Sequence, residues 1–210
     1  MYNSQWQQDK ILHENIFKGK KDGIFVDVGA HDGKTGSNSY FFENLGWKGI
    51  CIEPIHECFE KLCKTRNCIC VQGCAYNKTG TIKFNRQHGY TEMLSGIIES
   101  YPEKHLTRIN NEMKQMGDKS ETLYVDCYKL SYLLEKYGIN HVDYLSIDTE
   151  GSELQVLQGI DFDKVNFEVI DFEVNYNEEI APIQELLEQK GYSFYSKIGG
   201  DIIYLNNFRS

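Results

Sequence analysis

The 210-residue chain has 40% hydrophobic residues and only 3 prolines, which is typical of one ordinary α/β domain and argues against disorder. Its 22 basic and 31 acidic residues leave a formal net charge of −9, which argues against nucleic acid or an anionic membrane as the main partner. No apolar run approaches the roughly 20 residues of a membrane span, and the N-terminal residues lack the pattern of a signal peptide.

Short apolar runs alternate with amphipathic segments along the chain. The alternation predicts strands over residues 24–28, 49–52, 68–72, 81–85, 123–127, 142–147, 167–174, 192–197 and 201–205. It predicts helices over residues 37–45, 55–66, 130–137, 153–157 and 183–190. A strand–helix–strand order implies a mostly parallel sheet with helices on both faces, closed here by an antiparallel hairpin around Gly199-Gly200.

Residues 86–120 interrupt this pattern with a polar, charge-rich stretch. We expect an insertion with one or two helices that serves as a lid over the substrate. A hairpin is predicted to begin at Thr79-Gly80. With no repeat and no linker in the sequence, we expect one domain over residues 1–210.

Seven cysteines are present, an odd number, and none has the C-x-x-C spacing: Cys51, Cys58, Cys63, Cys68, Cys70, Cys74 and Cys127. Several lie in apolar strand-like runs, which suits small buried side chains. The pattern favours reduced thiols in a reducing compartment, and hence a cytoplasmic protein. A metal or redox role is the alternative.

The glycine-containing turn after the first strand, residues 27–33, lies where open α/β sheets bind nucleotides. A P-loop would need four residues between Gly29 and the Gly33-Lys34-Thr35 run, and only three are present. A dinucleotide fingerprint would need glycine at His31. Asp27 and Asp32 flank the turn and would repel a pyrophosphate, so they favour a cationic ligand without phosphate, such as S-adenosylmethionine. Alternatively, Asp32 only caps the following helix.

Glu53 ends the second strand and is predicted to accept hydrogen bonds from both hydroxyls of a ribose. A solvated surface carboxylate is the plainer alternative. After the third strand, the small residues Gly73-Cys74-Ala75 leave room for an adenine ring.

A second acidic group follows the strand over residues 142–147. Asp148 ends that strand, and the neighbouring strand ends in Glu173-Val174-Asn175, where the i, i+2 spacing places Glu173 and Asn175 on one side. Two carboxylates and an amide either provide a general base for a hydroxyl group or hold a Mg²⁺-like ion. The residues do not choose between these roles. Glu153 is interpreted as a residue that caps a helix.

An ordered set of motifs covers nearly the whole chain. It consists of Ser4-Gln5, Gln8-Asp9, FVDVGAHDG at 25–33, GWKGI at 46–50, IEP at 52–54, YLSIDTEGSE at 144–153, VLQG at 156–159 and EVN at 173–175. In this order the motifs resemble the FkbM-type methyltransferase family. The resemblance implies a Rossmann-like class I methyltransferase sheet of about seven strands, S-adenosylmethionine as donor and transfer to an oxygen atom.

The resemblance also implies an acceptor and a set of site residues. The expected acceptor is a hydroxyl of a sugar or glycan, including deoxysugars such as rhamnose, and association with or fusion to glycosyltransferases is compatible with it. The expected catalytic residues are Asp148, Glu173 and Asn175, and the expected cofactor-binding residues are Gln5, Asp27, Gly29, Ala30, His31, Asp32, Glu53, Pro54, Cys74, Ala75 and Asp148. The segment 4–9 is expected to fold over the cofactor or the acceptor. Two alternatives stay open: a nucleotide-dependent enzyme that uses ATP or NAD, and a non-catalytic cofactor-binding partner of a glycosyltransferase.

Overall fold

The computed structural model describes residues 1–208. The strands are β1 (Ile24–Val28), β2 (Lys48–Glu53), β3 (Ile69–Gln72), β4 (Cys74–Ala75), β5 (Gly80–Gln87), β6 (Gly96–Ile97), β7 (Ser120–Tyr128), β8 (His141–Ile147), β9 (Asn166–Glu173), β10 (Tyr192–Ile198) and β11 (Asp201–Asn206). The α-helices are α1 (Gln8–Ile11), α2 (Tyr40–Asn44), α3 (His56–Thr65), α4 (Glu103–Met116), α5 (Leu130–Lys136), α6 (Glu153–Gln158) and α7 (Ile180–Gln189). A π-helical turn, Leu12–Ile16, continues α1.

The main sheet has seven strands in the order β10-β11-β9-β8-β1-β2-β3. The five strands from β9 to β3 are parallel to one another, whereas β11 runs antiparallel to both β9 and β10. The predicted mostly parallel sheet with a closing antiparallel hairpin is therefore confirmed. The parallel strands are buried on both faces, which is why their sequences read as nearly continuous apolar runs.

Each face of the main sheet is covered by helices. Val26 and Val28 of β1 lie in the apolar cluster that α5, α6 and α7 complete on one face. Phe25 lies in the opposite cluster, together with α2 and the N-terminal helical turns. Because successive side chains of a strand point to opposite faces, Asp27 shares the face of Phe25.

A smaller sheet in the order β4-β7-β5-β6 lies beside the main one. β5 and β7 form a long antiparallel ladder from Gly80–Cys127 to Gln87–Ser120. The strand predicted over residues 81–85 is present as β5, and it pairs with the distant strand β7. The short strand β4 pairs in parallel with the other edge of β7. The insertion predicted over residues 86–120 thus emerges from the tip of a hairpin and contains β6, α4 and two 3₁₀ turns.

Helix bounds differ slightly from the predicted ones. α2 begins at Tyr40 instead of residue 37, because the Ser37 hydroxyl accepts the backbone N–H groups of Ser39 and Tyr40 and so precedes the first helical turn. α7 begins at Ile180, three residues before the predicted start.

All seven cysteines are free of disulfide bonds. Within residues 1–208, no helix combines the length and the apolar character needed to cross a bilayer.

Candidate active site

A cleft opens at the carboxyl ends of β1, β2 and β8, where parallel α/β sheets place their ligands. Its empty volume is about 640 Å³, including the part open to solvent. Seven residues expected at the site line it: Gly29, His31, Glu53, Pro54, Cys74, Ala75 and Asp148. The insertion supplies one wall through Glu92, Met93, Ser95 and Ile97, none of which was singled out from the sequence. These residues are distant in sequence, and the β5–β7 ladder brings them to the cleft.

Glu53 is held rigidly at the end of β2. Its two carboxylate oxygens accept the backbone N–H groups of His31 at 2.9 Å and of Ile55 at 2.8 Å. Burial raises the pKa of Glu53 to about 7, although these hydrogen bonds oppose the rise. Each carboxylate oxygen has two lone pairs, so the group can still accept hydrogen bonds from a ligand's hydroxyls.

The turns after β1 and β8 are in direct backbone contact. Gly29 has φ +88°, and a Cβ atom built there would lie 1.8 Å from the carbonyl oxygen of Asp148. The N–H of Asp148 donates to the carbonyl of Val28 at 2.9 Å. Only glycine fits at this point, and its presence allows Asp148 to lie against the turn after β1.

Asp27 does not line the cleft, although the sequence places it next to the glycine turn. Its carboxylate accepts hydrogen bonds from the hydroxyls of Ser39 at 2.5 Å and Ser37 at 3.2 Å, and it lies 3.9 Å from the buried guanidinium of Arg66. The alternation of β1 directs Asp27 to the face of α2. Its contacts are those of a structural anchor for the segment before that helix.

Asp32 organises its own turn and does not line the cleft. It accepts the backbone N–H groups of Lys34 at 2.8 Å and Thr35 at 2.7 Å, and also the Thr35 hydroxyl at 2.7 Å. Partial burial opposes ionisation, but these hydrogen bonds outweigh it and lower the pKa of Asp32. The amides that a P-loop would offer to phosphate are therefore occupied by a carboxylate, which argues against phosphate binding here.

Two more of the expected cofactor residues also lie outside the cleft. Ala30 is buried in the apolar cluster beneath α2, and its N–H donates to Ile52 at 3.0 Å. Gln5 is exposed. Nearby in the N-terminal segment, Gln8 donates to Asp201, and the Trp6 ring packs against Gly199. The segment therefore lies along the turn between β10 and β11 rather than over the cleft.

Three carboxylates from the ends of β8 and β9 form a cluster at the edge of the cleft. Oxygen atoms of Asp148, Glu150 and Glu173 all lie within 4.8 Å of one another. The Asn175 amide donates to Glu150 at 3.1 Å and to Glu173 at 3.3 Å. The expected group of Asp148, Glu173 and Asn175 is thus brought together as adjacent parallel strands require.

Glu150 is a member of this cluster that sequence reasoning missed. Its backbone has φ 56°, a left-handed conformation that turns its side chain towards the other two acids. The available signal was that Glu150 is the second of three acids in the run Asp148, Glu150 and Glu153. Acids are also common at the start of a helix, and this plainer explanation was preferred. The carboxylate of Glu153 does hold the same turn, since it accepts N–H groups from Thr149 and Gly151 at 3.1 Å each.

The electrostatics of the cluster favour bound protons or cations. Asp148 lines the cleft and is exposed to it, whereas Glu150 and Glu173 are half-buried. Desolvation by the surrounding protein, followed by the charges of Glu173 and Glu150, raises the pKa of Asp148 well above its ordinary value. The pKa of Glu150 is raised in the same way, mainly by burial and then by Glu173.

Two residues of α4, in the insertion, lie against the cluster. Arg108 of α4 donates to the amide oxygen of Asn175 at 3.4 Å. His105 is 1% exposed, stacks on Tyr101 at 4.9 Å, and brings Nε2 to 3.8 Å from the Glu150 carboxylate. The insertion, which we predict to serve as a lid, therefore contacts the acidic cluster directly.

The sheet order and the cleft at its carboxyl edge define a Rossmann-like methyltransferase fold. Residues 27–194 match the family model described as the methyltransferase FkbM domain, and the chain belongs to this family of methyltransferases. The family and fold imply S-adenosylmethionine as the methyl donor.

Two solved methyltransferases are similar to this chain at low sequence identity, and the first of them shares its fold. The METTL16 methyltransferase domain is 12% identical with a TM-score of 0.53, and the match covers 97% of this chain and 67% of that one. The precorrin-6y C5,15-methyltransferase from Geobacter metallireducens GS-15 is 12% identical with a TM-score of 0.43, over 89% of this chain and 82% of that one. No curated protein matches the chain significantly.

Proposed function

We propose that the chain is an S-adenosylmethionine-dependent O-methyltransferase that acts on a hydroxyl of a sugar or glycan, with deoxysugars such as rhamnose included. One observation carries the proposal: Asp148 lines the cleft and also belongs to the acidic cluster. A hydroxyl held at this cluster would lie next to the cleft.

The charge of the cleft lining fits the expected donor. Among the described residues that line the cleft are four carboxylates and no lysine or arginine. This lining suits a sulfonium and an amine, and it disfavours the phosphates of ATP or NAD.

Residues of the cleft have distinct roles in this proposal. Glu53 would accept the ribose hydroxyls, with Cys74 and Ala75 beside the adenine ring and the turn at Gly29 beside the amino-acid part. Bound S-adenosylmethionine would supply an electrophilic methyl group on sulfur. The protein's part is to hold the acceptor oxygen in line with that methyl group and to receive the hydroxyl proton.

Asp148 is proposed to accept this proton. Its raised pKa makes its carboxylate a stronger base than an ordinary aspartate, and Glu150 and Glu173 lie close enough to share the proton. Asn175 would orient the pair of glutamates through its two N–H bonds. Hydroxyl-rich acceptors suit such a set, because carboxylates accept strong, charge-assisted hydrogen bonds from hydroxyl groups.

The same oxygen atoms fit a Mg²⁺-like ion, which prefers carboxylate and amide oxygen ligands. Asp148, Glu150 and Glu173 would hold it, and it would lower the pKa of a bound hydroxyl. Methyl transfer measured with and without a chelator distinguishes the two roles, because only the metal-dependent enzyme would lose activity and regain it with Mg²⁺.

The first test is thermal stabilisation by S-adenosylhomocysteine, ATP with Mg²⁺, and NAD⁺ at equal concentrations. Ligand at a hundredfold excess over its Kd stabilises the folded state by about 2.7 kcal/mol. We expect a shift with S-adenosylhomocysteine alone. A shift only with ATP or NAD⁺ would refute the proposal.

The second test is transfer of a labelled methyl group to a panel of sugars and glycans that includes rhamnose-containing ones. Asp148→Asn should lower kcat by roughly 10²–10⁴-fold while S-adenosylhomocysteine still binds. The matched control is Asp163→Asn, an exposed acid remote from the cleft, which should leave kcat unchanged. Cofactor binding without transfer to any sugar would instead favour a non-catalytic partner, for example of a glycosyltransferase.

A further inference from the structure

Three side chains with different donor atoms meet outside the acidic cluster. His31 comes from the turn after β1, Cys58 from α3, and Glu92 from the 3₁₀ turn Gly89–Leu94 of the insertion. His31 Nε2 lies 3.1 Å from Glu92 Oε1, and Cys58 Sγ lies 3.8 Å from the same oxygen. One donor atom from each residue lies within 4.8 Å of the other two.

Two of these separations are close to those of a tetrahedral metal site. Zinc bonds of about 2.0–2.3 Å to nitrogen, oxygen and sulfur place neighbouring ligand atoms roughly 3.3–3.8 Å apart, near the 3.1 Å and 3.8 Å observed here. Without a metal, the imidazole of His31 and the thiol of Cys58 both form hydrogen bonds with Oε1 of Glu92, so three metal-binding side chains already converge on one point. The buried Nδ1 of His31 has no hydrogen-bond partner in residues 1–208 and lies 3.9 Å from the Asp32 carboxylate.

The donor atoms also suit a cation at this point. Cys58 is 1% exposed, and its Sγ faces the Glu92 carboxylate. A metal ion bound there would stabilise the thiolate form of Cys58. The combination of thiolate, imidazole and carboxylate selects zinc-class ions over Mg²⁺.

A second mixed cluster provides a contrast. His141, Asp143 and Glu168 are equally close to one another at the opposite end of β8. There, however, the Lys20 ammonium already binds Asp143 at 2.5 Å and supplies the positive charge. The group around Cys58 has no such internal cation within its hydrogen-bonded contacts in residues 1–208.

We propose that His31, Cys58 and Glu92 bind one zinc-class divalent cation, which joins the insertion to α3 and to the cofactor-binding turn. With three protein ligands, the fourth position would hold water. Because His31 and Glu92 line the cleft, the ion would fix one of its walls. This inference does not depend on the acceptor or on methyl transfer.

Cobalt(II) is the probe, because it can replace zinc in such a site. An intense near-ultraviolet absorption band reports coordination by a thiolate, and the visible absorption bands report tetrahedral geometry. The chelator-treated full chain should bind one Co²⁺ saturably, and Zn²⁺ should remove both signals. Cys58→Ser should abolish the near-ultraviolet band, and Glu92→Gln should weaken Co²⁺ binding at least tenfold. Glu92→Gln also tests the site if Cys58→Ser does not fold, because the Glu92 side chain is 31% exposed.

Two cysteine variants are matched controls. Cys63 is exposed on the same helix, and Cys68 lies 3.5 Å from Cys51 in a separate group of thiols. Cys63→Ser and Cys68→Ser should keep both the band and the affinity. The proposal is overturned by absence of saturable binding, by a band that survives Cys58→Ser, by unchanged affinity in Glu92→Gln, or by loss of the band in Cys68→Ser.

Discussion

Replacing Gly29 by alanine should destabilise the protein strongly, because two independent costs meet at that position. The backbone has φ +88°, which costs a residue with a Cβ atom about 1–2 kcal/mol. The new Cβ would also lie 1.8 Å from the Asp148 carbonyl oxygen, far inside an ordinary contact of 3.4 Å or more. Relieving the overlap must push the two strand ends apart, at a cost typical of overpacking, about 1–3 kcal/mol. The free energy of unfolding should therefore fall by about 2–5 kcal/mol.

Urea unfolding followed by the fluorescence of the buried Trp47 measures this loss. With an m-value of about 2 kcal/mol/M, the midpoint should drop by roughly 1–2.5 M. Gly36→Ala is the matched control: its φ of +66° has a similar conformational cost, but no atom lies within 4 Å of the new Cβ. If both variants lose the same stability within about 0.5 kcal/mol, the close contact with Asp148 contributes nothing and the reasoning is refuted.

Three further predictions concern buried charges. Burial raises the pKa of Glu53 from 4.5 to about 7, so between these pH values the folded chain retains a proton that the unfolded chain releases. The free energy of unfolding should therefore fall as the pH rises from about 4.5 to 7. The urea midpoint of Glu53→Gln should decline less over this range than that of the unsubstituted protein. Asp171 accepts the Tyr144 hydroxyl at 2.7 Å, while burial and neighbouring acids raise its pKa well above the ordinary value. Asp171→Asn should therefore raise Tm at pH 8 but not at pH 4, and an equal effect at both would contradict this explanation. Arg66→Met removes a fully buried guanidinium bonded to Glu43 and should cost about 3–5 kcal/mol in urea unfolding; a loss below 1 kcal/mol would show that the pair is replaceable.

Residues whose positions follow from local periodicity were predictable. The apolar runs of β1, β2, β8 and β9 and the amphipathic segments between them indicated a parallel sheet, and the structure has it. Asp148 and Glu173 follow from the same pattern, because neighbouring parallel strands end at one edge. The contact between Glu173 and Asn175 needed only the alternation of side chains.

Asp27 shows the limit of reasoning by proximity in sequence. It precedes the glycine turn directly, yet it points to the other face, where Ser37, Ser39 and Arg66 surround it. The alternation of β1 contained this information, but only the packing of α2 on that face showed which partners it would meet.

By itself, the sequence determined the strands of the main sheet, the helices between them and the acidic strand ends, because hydrophobic periodicity and strand alternation act over a few residues. Only the tertiary structure decided that Glu150 joins the acidic cluster, that Arg108 and His105 lie against it, and that Glu92 meets Cys58. Several of these contacts join residues that are far apart in the sequence; Cys58 and Glu92, for example, are 34 residues apart. They depend on the long β5–β7 ladder and on a left-handed turn, and both are set by packing between distant parts of the chain rather than by local pattern.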